Sequence, residues 1–225
     1  GDSQAKGFLI GATSGRTTLN GEGLQHQDGH SHLFSATIPN CLSYDPAYAY
    51  ELAVIFQHGI QKMFVELENY YYYITVTNEN YEQPAKPEGS DEGIIKGMYR
   101  LIENKEHQVI LLGSGSILNE SLKALEILSS IGIAAEVWSV TSFNMLRKDG
   151  IDKQRFNELN PDLLSKPSYV EECLSDESIP VVASTDYMRA YPEQIRSYIK
   201  APFYTLGTDG YGRSDSREKL REFFE

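Results

Sequence analysis

The fold of this chain is decided by one run of aromatic and β-branched residues, Tyr70-Tyr71-Tyr72-Tyr73-Ile74-Thr75-Val76-Thr77. Such side chains pack well on a pleated surface, so the run predicts a buried strand. Another strand is predicted over residues 38–44, and Asp45-Pro46 predicts the start of a helix that continues to about residue 64. A strand, a helix and a strand in this order form a βαβ unit of a parallel sheet. The chain is therefore predicted to be an α/β protein.

The second half of the sequence repeats this rhythm. Strands are predicted over residues 98–102, 109–112, 136–140, 180–184 and 203–206, and helices over residues 118–130 and 192–200. Asp215 is predicted to cap a last helix, with Glu218 three residues later completing a capping box. Residues 83–91 combine proline, glycine and charge with almost nothing apolar, which predicts a domain boundary. Residues 151–167 are polar and show no period.

The overall composition excludes several classes of partner. The chain has 225 residues, 40% hydrophobic and 23% charged, which is ordinary for a globular protein. Its formal net charge is -12 and it has no cluster of Lys and Arg, so neither nucleic acid nor a membrane is expected as a partner. Cys41 and Cys173 lie far apart in unrelated contexts, which predicts free thiols in a reducing compartment, the cytoplasm.

Chemistry is concentrated in the stretch Gly21-Glu22-Gly23-Leu24-Gln25-His26-Gln27-Asp28-Gly29-His30-Ser31-His32. Its polarity and its glycines predict a loop whose backbone turns and approaches another group closely. Imidazoles and carboxylates are the side chains that move protons near neutral pH. The alternatives are a solvated polar loop without chemistry and a zinc site formed by His26, His30 and His32.

Three further motifs give weaker evidence for a functional site than this loop does. Residues 11–18 resemble a phosphate-binding loop, but the spacing is one residue short and Arg16 stands where that motif needs Lys, so a surface loop is predicted. Residues 113–115 form a Gly-Ser-Gly turn; a dinucleotide site would need a third glycine at Leu118, although Glu136 stands where its acidic residue belongs. Residues 208–217 are a second polar cluster between a strand and a helix, for which an elaborate start of that helix is favoured.

Four longer runs, at residues 21–31, 44–51, 71–75 and 207–217, resemble the homodimeric bacterial pyruvate dehydrogenase family, the first component of the pyruvate dehydrogenase complex. The resemblance covers essentially the whole chain in order. It implies a transketolase-like fold. Residues 1–84 would be the later part of the pyrimidine-binding domain, and residues 85–225 the transketolase C-terminal-like domain, truncated at its end.

The resemblance also implies a function. Members of this family are homodimers that decarboxylate pyruvate on thiamine diphosphate and acetylate the lipoyl group of the dihydrolipoyl acetyltransferase component. It implies that His26 is a proton donor or hydrogen-bond partner for the substrate adduct and that Glu22 is its polar neighbour. Gln25, Asp28 and His30 would belong to the same substrate-proximal loop.

Other features of the family are absent from this sequence. Position 27 is usually acidic in the family and is Gln27 here. No Gly-Asp-Gly motif occurs, although the family uses one with a downstream Asn to hold the diphosphate and Mg²⁺. The cofactor and metal are therefore expected to bind mainly outside this segment, which alone should be inactive, and no metal ligand is assigned here.

Two alternative functions remain open. The first is a non-catalytic regulatory or docking module that binds a basic partner through its negative charge and residues 207–217. The second is a segment of a related transketolase or branched-chain 2-oxo-acid dehydrogenase. The missing initiator Met and the stop inside a predicted helix suggest a piece of a longer chain.

Overall fold

The computed structural model describes residues 2–12 and 14–224, and in that part of the chain the elements form two sheets. The strands are β1 Phe8–Ala12, β2 Cys41–Tyr44, β3 Tyr71–Val76, β4 Met98–Ile102, β5 Val109–Ser114, β6 Ala135–Val140, β7 Val181–Ser184 and β8 Phe203–Leu206. The α-helices are α1 Ser31–Ser35, α2 Ala49–Ile60, α3 Asp91–Lys96, α4 Leu118–Ser130, α5 Phe143–Leu159, α6 Tyr169–Cys173, α7 Ala190–Glu193 and α8 Arg217–Phe224.

The first sheet is a parallel sheet of three strands in the order β1-β3-β2. The aromatic run forms β3, the central strand, which confirms the predicted strand and the predicted βαβ unit. Helix α2 and the turn that follows it cover this sheet, since Ile55 and Met63 share one buried cluster with Tyr72 and Ile74. The helix continues through a π-helical turn, Gln61–Val65, so it ends close to the predicted residue 64. Burial of these large side chains is the main stabilisation of this unit.

The second sheet has five strands in the order β4-β6-β5-β7-β8. β4 is antiparallel to β6 and the other pairs are parallel. The chain passes from β5 to β6 on one side and then crosses to β7 on the other side of β5. An open α/β sheet leaves a crevice at such a reversal, outside the carboxyl ends of the strands. Here that crevice lies beyond Ser114 and Ser184.

The predicted start of helix α2 was wrong by several residues. Asp45 does not cap it; the helix begins at Ala49, and the Glu51 carboxylate accepts hydrogen bonds from the amides of Ala47 (2.6 Å) and Tyr48 (3.1 Å). Asp45 is instead buried and accepts a hydrogen bond from the Thr75 hydroxyl at 2.7 Å. A side chain that binds another strand cannot cap the free amides of the helix.

The predicted surface loop at residues 11–18 is also wrong. Gly11 and Ala12 end β1, and Thr13 lies outside the described residues. Ser14, Arg16, Thr17 and Thr18 are all buried. Glycine and threonine in this stretch therefore serve close packing against the rest of the chain.

Two predictions in the second half need correction, and one stretch without a prediction is now placed. The predicted helix at residues 192–200 is two short turns, α7 and a 3-10 turn Arg196–Tyr198. Half of the aperiodic stretch 151–167 belongs to α5, which begins after Ser142, whose hydroxyl accepts a hydrogen bond from the Met145 amide at 3.0 Å. The residue that caps α8 is Ser216 rather than Asp215, because the Ser216 hydroxyl accepts from the Lys219 amide at 3.3 Å.

Three short helices, α1, α3 and α6, were not predicted. Ser31 and His32, at the end of the predicted polar loop, lie in α1. Asp91, at the end of the predicted boundary segment, begins α3. Both cysteines are free thiols, Cys41 buried and Cys173 half-buried. In the described part of the chain, no helix has the length and apolar composition needed to cross a membrane.

The two sheets meet through buried polar contacts. Glu51 on α2 accepts hydrogen bonds from the Tyr99 hydroxyl (2.8 Å) and the Ser139 hydroxyl (2.6 Å) of the second sheet. Asn144 on α5 donates to the carbonyl of His32 at 2.7 Å. Buried polar groups are costly unless they are paired, so these contacts hold the two sheets in one relative position.

Candidate active site

The loop at residues 21–30 presents three adjacent polar side chains to solvent. Glycines at positions 21 and 23 have φ of +78° and +74°, a conformation that glycine adopts without strain. The turn exposes Glu22, Gln25 and His26. Nε2 of His26 lies 3.9 Å from Oε2 of Glu22, and both side chains are more than half exposed. At this distance the carboxylate is a polar neighbour of the imidazole, beyond direct hydrogen-bond range.

Gln27 ties this loop to the second polar cluster of the sequence. Its Nε2 donates to the carbonyl of Leu19 at 2.7 Å, and its Oε1 accepts from the amide of Arg213 at 2.7 Å. The amide of Gly21 donates to the carbonyl of Asp215 at 3.0 Å. The structure therefore brings together residues 21–30 and 207–217, which the sequence analysis treated separately.

Asp28 and His30 point away from the exposed tip of the loop. Oδ1 of Asp28 accepts from the amides of His30 and Ser31, both at 3.0 Å, and so supports the first turn of α1. Nη2 of Arg16 lies 3.3 Å from both ring nitrogens of His30. Of the predicted site residues, the structure brings His26 and Glu22 together, leaves Gln25 in solvent and uses Asp28 to hold the helix.

The zinc hypothesis is wrong. His32 is fully buried and its Nε2 hydrogen-bonds with the Thr75 hydroxyl at 2.9 Å, whereas His26 is exposed. Burial lowers the pKa of His32 to about 3, so this ring is neutral at physiological pH. Across residues 2–12 and 14–224, no group of three or more His, Cys, Asp or Glu side chains is arranged to hold a metal ion.

Arg16 is a site residue that the sequence analysis missed. Its side chain is buried beneath Gly29, where a β-carbon would collide with the guanidinium. Burial lowers the pKa of Arg16, and the nearby carboxylates of Asp28, Asp186 and Asp209 partly offset this. Among the residues that the structure describes, Nε of Arg16 has no hydrogen-bond partner. The guanidinium thus packs directly beneath the backbone of the loop at Gly29.

Asp186 is the second residue that was missed. It follows β7, is buried, and accepts hydrogen bonds from the amides and hydroxyls of both Thr17 and Thr18, at 2.7 to 3.2 Å. The sequence did carry a signal for it, because a carboxylate two residues after a parallel strand lies at the edge where α/β sheets place functional groups.

Asp45 lies against the ends of β5 and β6. Its carbonyl accepts from the amide of Gly115 at 3.1 Å, and its amide donates to the carbonyl of Thr141 at 2.7 Å. Burial raises the pKa of the Asp45 carboxyl to about 7, and the hydrogen bond from Thr75 opposes this rise. Because Asp45 covers the Gly-Ser-Gly turn, the dinucleotide alternative is wrong.

Two family models match the chain. The model described as "Pyruvate dehydrogenase E1 component middle domain" matches residues 1–84, and the "Transketolase-like TK C-terminal domain" model matches residues 97–225. Solved transketolases have the same fold at low identity. The Campylobacter jejuni enzyme is 21% identical with a TM-score of 0.71, over 96% of this chain and 29% of that one. The Leishmania mexicana enzyme is 18% identical with a TM-score of 0.69, over 96% and 28%. The chain therefore has a transketolase-like α/β fold.

Curated relatives are much more similar in sequence. The chain is 61% identical to the pyruvate dehydrogenase E1 component of Pseudomonas aeruginosa and 58% identical to that of Escherichia coli K12, each over 230 residues. It is 50% identical to that of Haemophilus influenzae over 232 residues. In each case the match covers 100% of this chain and 26% of the relative, so the chain spans about a quarter of those proteins. The chain belongs to the pyruvate dehydrogenase E1 component family.

Proposed function

We propose that this chain is the part of a pyruvate dehydrogenase that supplies the loop carrying His26 to the active site. The observation that carries the proposal is the exposed pair of His26 and Glu22 on a loop held from behind by Gln27. An exposed imidazole on a tethered loop can reach a substrate bound by other parts of the protein.

In this proposal the side chains of the loop handle protons. His26 donates a proton or a hydrogen bond to the substrate through a ring nitrogen, and Glu22 is its polar neighbour on the same turn. Gln25 adds a polar side chain on the same exposed turn. Asp28 and His30 support the loop and do not contact the substrate, because Asp28 holds the start of α1 and His30 lies against Arg16.

Thiamine diphosphate and Mg²⁺ would be held by other parts of the protein. The described residues contain no cluster of ligands suited to a metal ion. Mg²⁺ on a diphosphate takes only one or two protein carboxylates, and we propose that these lie in other parts of the protein. The matched regions support two domains, the later part of a pyrimidine-binding domain at residues 1–84 and a C-terminal domain at residues 85–225. We expect the segment alone to be inactive and to show no saturable calorimetric binding of thiamine diphosphate with Mg²⁺.

The overall reaction defines the partners. Pyruvate loses CO₂, and its remaining two-carbon unit is oxidised to the level of an acetyl group. The disulfide of the lipoyl group on the dihydrolipoyl acetyltransferase component takes up the electron pair, which gives one acetyl thioester and one thiol. We propose a cytoplasmic homodimer as the working form.

The experiment is a substrate comparison on the full-length protein with thiamine diphosphate, Mg²⁺ and a lipoylated acceptor domain. We expect CO₂ release and acetylation of the acceptor with pyruvate. Preference for a branched-chain 2-oxo acid or for a ketose phosphate would instead support the related enzymes, and no turnover with any of them would support a non-catalytic module.

A further inference from the structure

Asp186 lies in the second sheet unit, yet its side chain holds the segment that leads into the His26 loop. We propose that Asp186 is a positioning residue that sets the place of His26 by clamping Thr17 and Thr18. The proposal rests on the proposed function, because it requires that His26 acts on the substrate.

The contacts that form this clamp are direct. Oδ1 of Asp186 accepts from the amide (2.9 Å) and the hydroxyl (2.7 Å) of Thr17. Oδ2 accepts from the amide (3.2 Å) and the hydroxyl (2.7 Å) of Thr18. The two amides can only donate and the Thr17 hydroxyl donates to Asp186, so the arrangement fits an ionised carboxylate, which only accepts. The Thr18 hydroxyl shares its one hydrogen between Asp186 and the carbonyl of Ser14, which lies at 2.9 Å. Burial raises the pKa of Asp186, and the donors oppose that rise.

The backbone around Asp186 is shaped for this contact. Gly15 has φ of +90°, and a β-carbon there would collide with Oδ2 of Asp186. The amide of Arg16 donates to the carbonyl of Asp186 at 3.2 Å, and the hydroxyl of Thr208 donates to the same carbonyl at 2.9 Å. Asp186 thus joins the segment before the His26 loop to the cluster at residues 207–217 behind it.

The clamp is connected to His26 by a short chain of contacts. The carbonyl of Thr18 accepts from Nε of Arg217 at 2.7 Å, so this threonine is held on both sides. The carbonyl of Leu19, the next residue, accepts from Gln27, which directly follows His26. A shift of Thr17 and Thr18 would therefore move both ends of the turn that carries His26.

Glu51 offers a matched control within the same chain. It is also a fully buried carboxylate that accepts two amide and two hydroxyl hydrogen bonds between the two sheets. Its donors are Ala47, Tyr48, Tyr99 and Ser139, which lie outside residues 14–30. Loss of Glu51 should weaken the packing of the two sheets without displacing His26.

The experiment compares Asp186→Asn, Glu51→Gln and His26→Ala in the full-length protein, together with the double variant of Asp186→Asn and His26→Ala. Asn places an NH₂ group against the donors of the clamp. We expect Asp186→Asn to lower kcat about 10- to 100-fold with KM for pyruvate unchanged, because small displacements of a catalytic group have effects of this size. Glu51→Gln should lower the Tm and leave kcat unchanged. The double variant should be no slower than His26→Ala alone.

The outcomes separate this proposal from the proposed function. Unchanged turnover in His26→Ala overturns the role of His26 and, with it, the clamp. If His26→Ala is slow but Asp186→Asn keeps full turnover, or if the two losses multiply, only the clamp is overturned. Should Asp186→Asn fail to fold, Thr18→Val removes one donor and should give a smaller loss of kcat with the same non-additivity. Hydrogen exchange at residues 19–30 should accelerate in the clamp variants and not in Glu51→Gln; equal rates in both would also overturn the clamp.

Discussion

The side-chain oxygen of Gln27 accepts a 2.7 Å hydrogen bond from the backbone amide of Arg213, which lies 186 residues further along the chain. The NH₂ group of the same side chain donates to the carbonyl of Leu19. One buried amide therefore joins the turn that carries His26 to the loop before α8. Both functions of the amide group are needed, since one contact uses it as acceptor and the other as donor.

Gln27→Glu keeps the shape of this side chain and removes the donor. The new carboxylate would face the Leu19 carbonyl in a buried site, so we expect a loss of about 1–3 kcal/mol in the free energy of unfolding at pH 8. At pH 5 the loss should be smaller, because burial raises the pKa of an acid and its protonated form can donate to Leu19. Urea titrations at the two pH values measure this difference.

The control for that variant is Gln25→Glu, on the exposed tip of the same loop. It adds the same charge without burying it and should change stability by less than about 0.5 kcal/mol. Equal losses for Gln27→Glu at pH 5 and pH 8 would contradict the assignment of the Leu19 contact as the one that matters.

The contact between Gly115 and Asp45 is tested by adding a single methyl group. Gly115 has φ of +52°, and a β-carbon there would lie 2.5 Å from Oδ2 of Asp45. Gly132 has φ of +81° with nothing within 4 Å of its β-carbon position. We expect Gly132→Ala to cost about 1 kcal/mol from backbone strain alone, and Gly115→Ala to cost clearly more in thermal unfolding. Similar losses of stability in the two variants would show that the Asp45 side chain can move aside with little loss of stability.

Asp45 should make the stability of the chain depend on pH in a predictable direction. Burial raises the pKa of this carboxyl from 3.8 to about 7. Between these values the folded state keeps a proton that the unfolded state has released. The contribution of Asp45 to the free energy of unfolding therefore falls as pH rises from about 4 to 7 and is constant above that. Asp45→Asn cannot ionise, so it should become more stable relative to the natural chain as pH rises, by up to about 1.4 kcal/mol per pH unit.

His32 acts in the opposite direction, since burial lowers its pKa from 6.5 to about 3. Its contribution to stability is present above pH 6.5 and is lost as pH falls towards 3. It is present in both proteins, so it cancels in the difference between Asp45→Asn and the natural chain. Asp162→Asn, at an exposed position, is the control variant. A difference that does not change between pH 4.5 and pH 8 would mean that Asp45 is ionised throughout.

Local sequence patterns were sufficient to predict most of the fold. Helix α4 lies at the predicted residues 118–130, and β8 at the predicted residues 203–206. In both, the signal is contained in the element itself, as apolar periodicity in the helix and as apolar, β-branched residues in the strand. The βαβ unit was predicted for the same reason. Short helices such as α6 carry too few residues to show a period.

The buried residues beneath the candidate site could not be predicted in the same way. The segment at residues 14–18 has the composition of an ordinary polar loop, and Asp186, which holds it, lies 169 residues beyond Thr17 in the sequence. Asp45 has the pattern of a helix cap, and its real partners are Thr75 and Gly115 on two other elements. In each case the decisive partner is distant in sequence, and no local period or cap rule contains that information.

The most direct test of the account is the turnover of His26→Ala in the full-length protein with pyruvate and a lipoylated acceptor. The ring is more than half exposed, so its removal should leave the Tm unchanged. Loss of a group that moves a proton in the reaction should lower kcat by about 10²- to 10⁴-fold. The control is His107→Ala, in the turn between β4 and β5, which should keep full turnover. Full turnover in His26→Ala, or a loss matched by His107→Ala, would contradict the account.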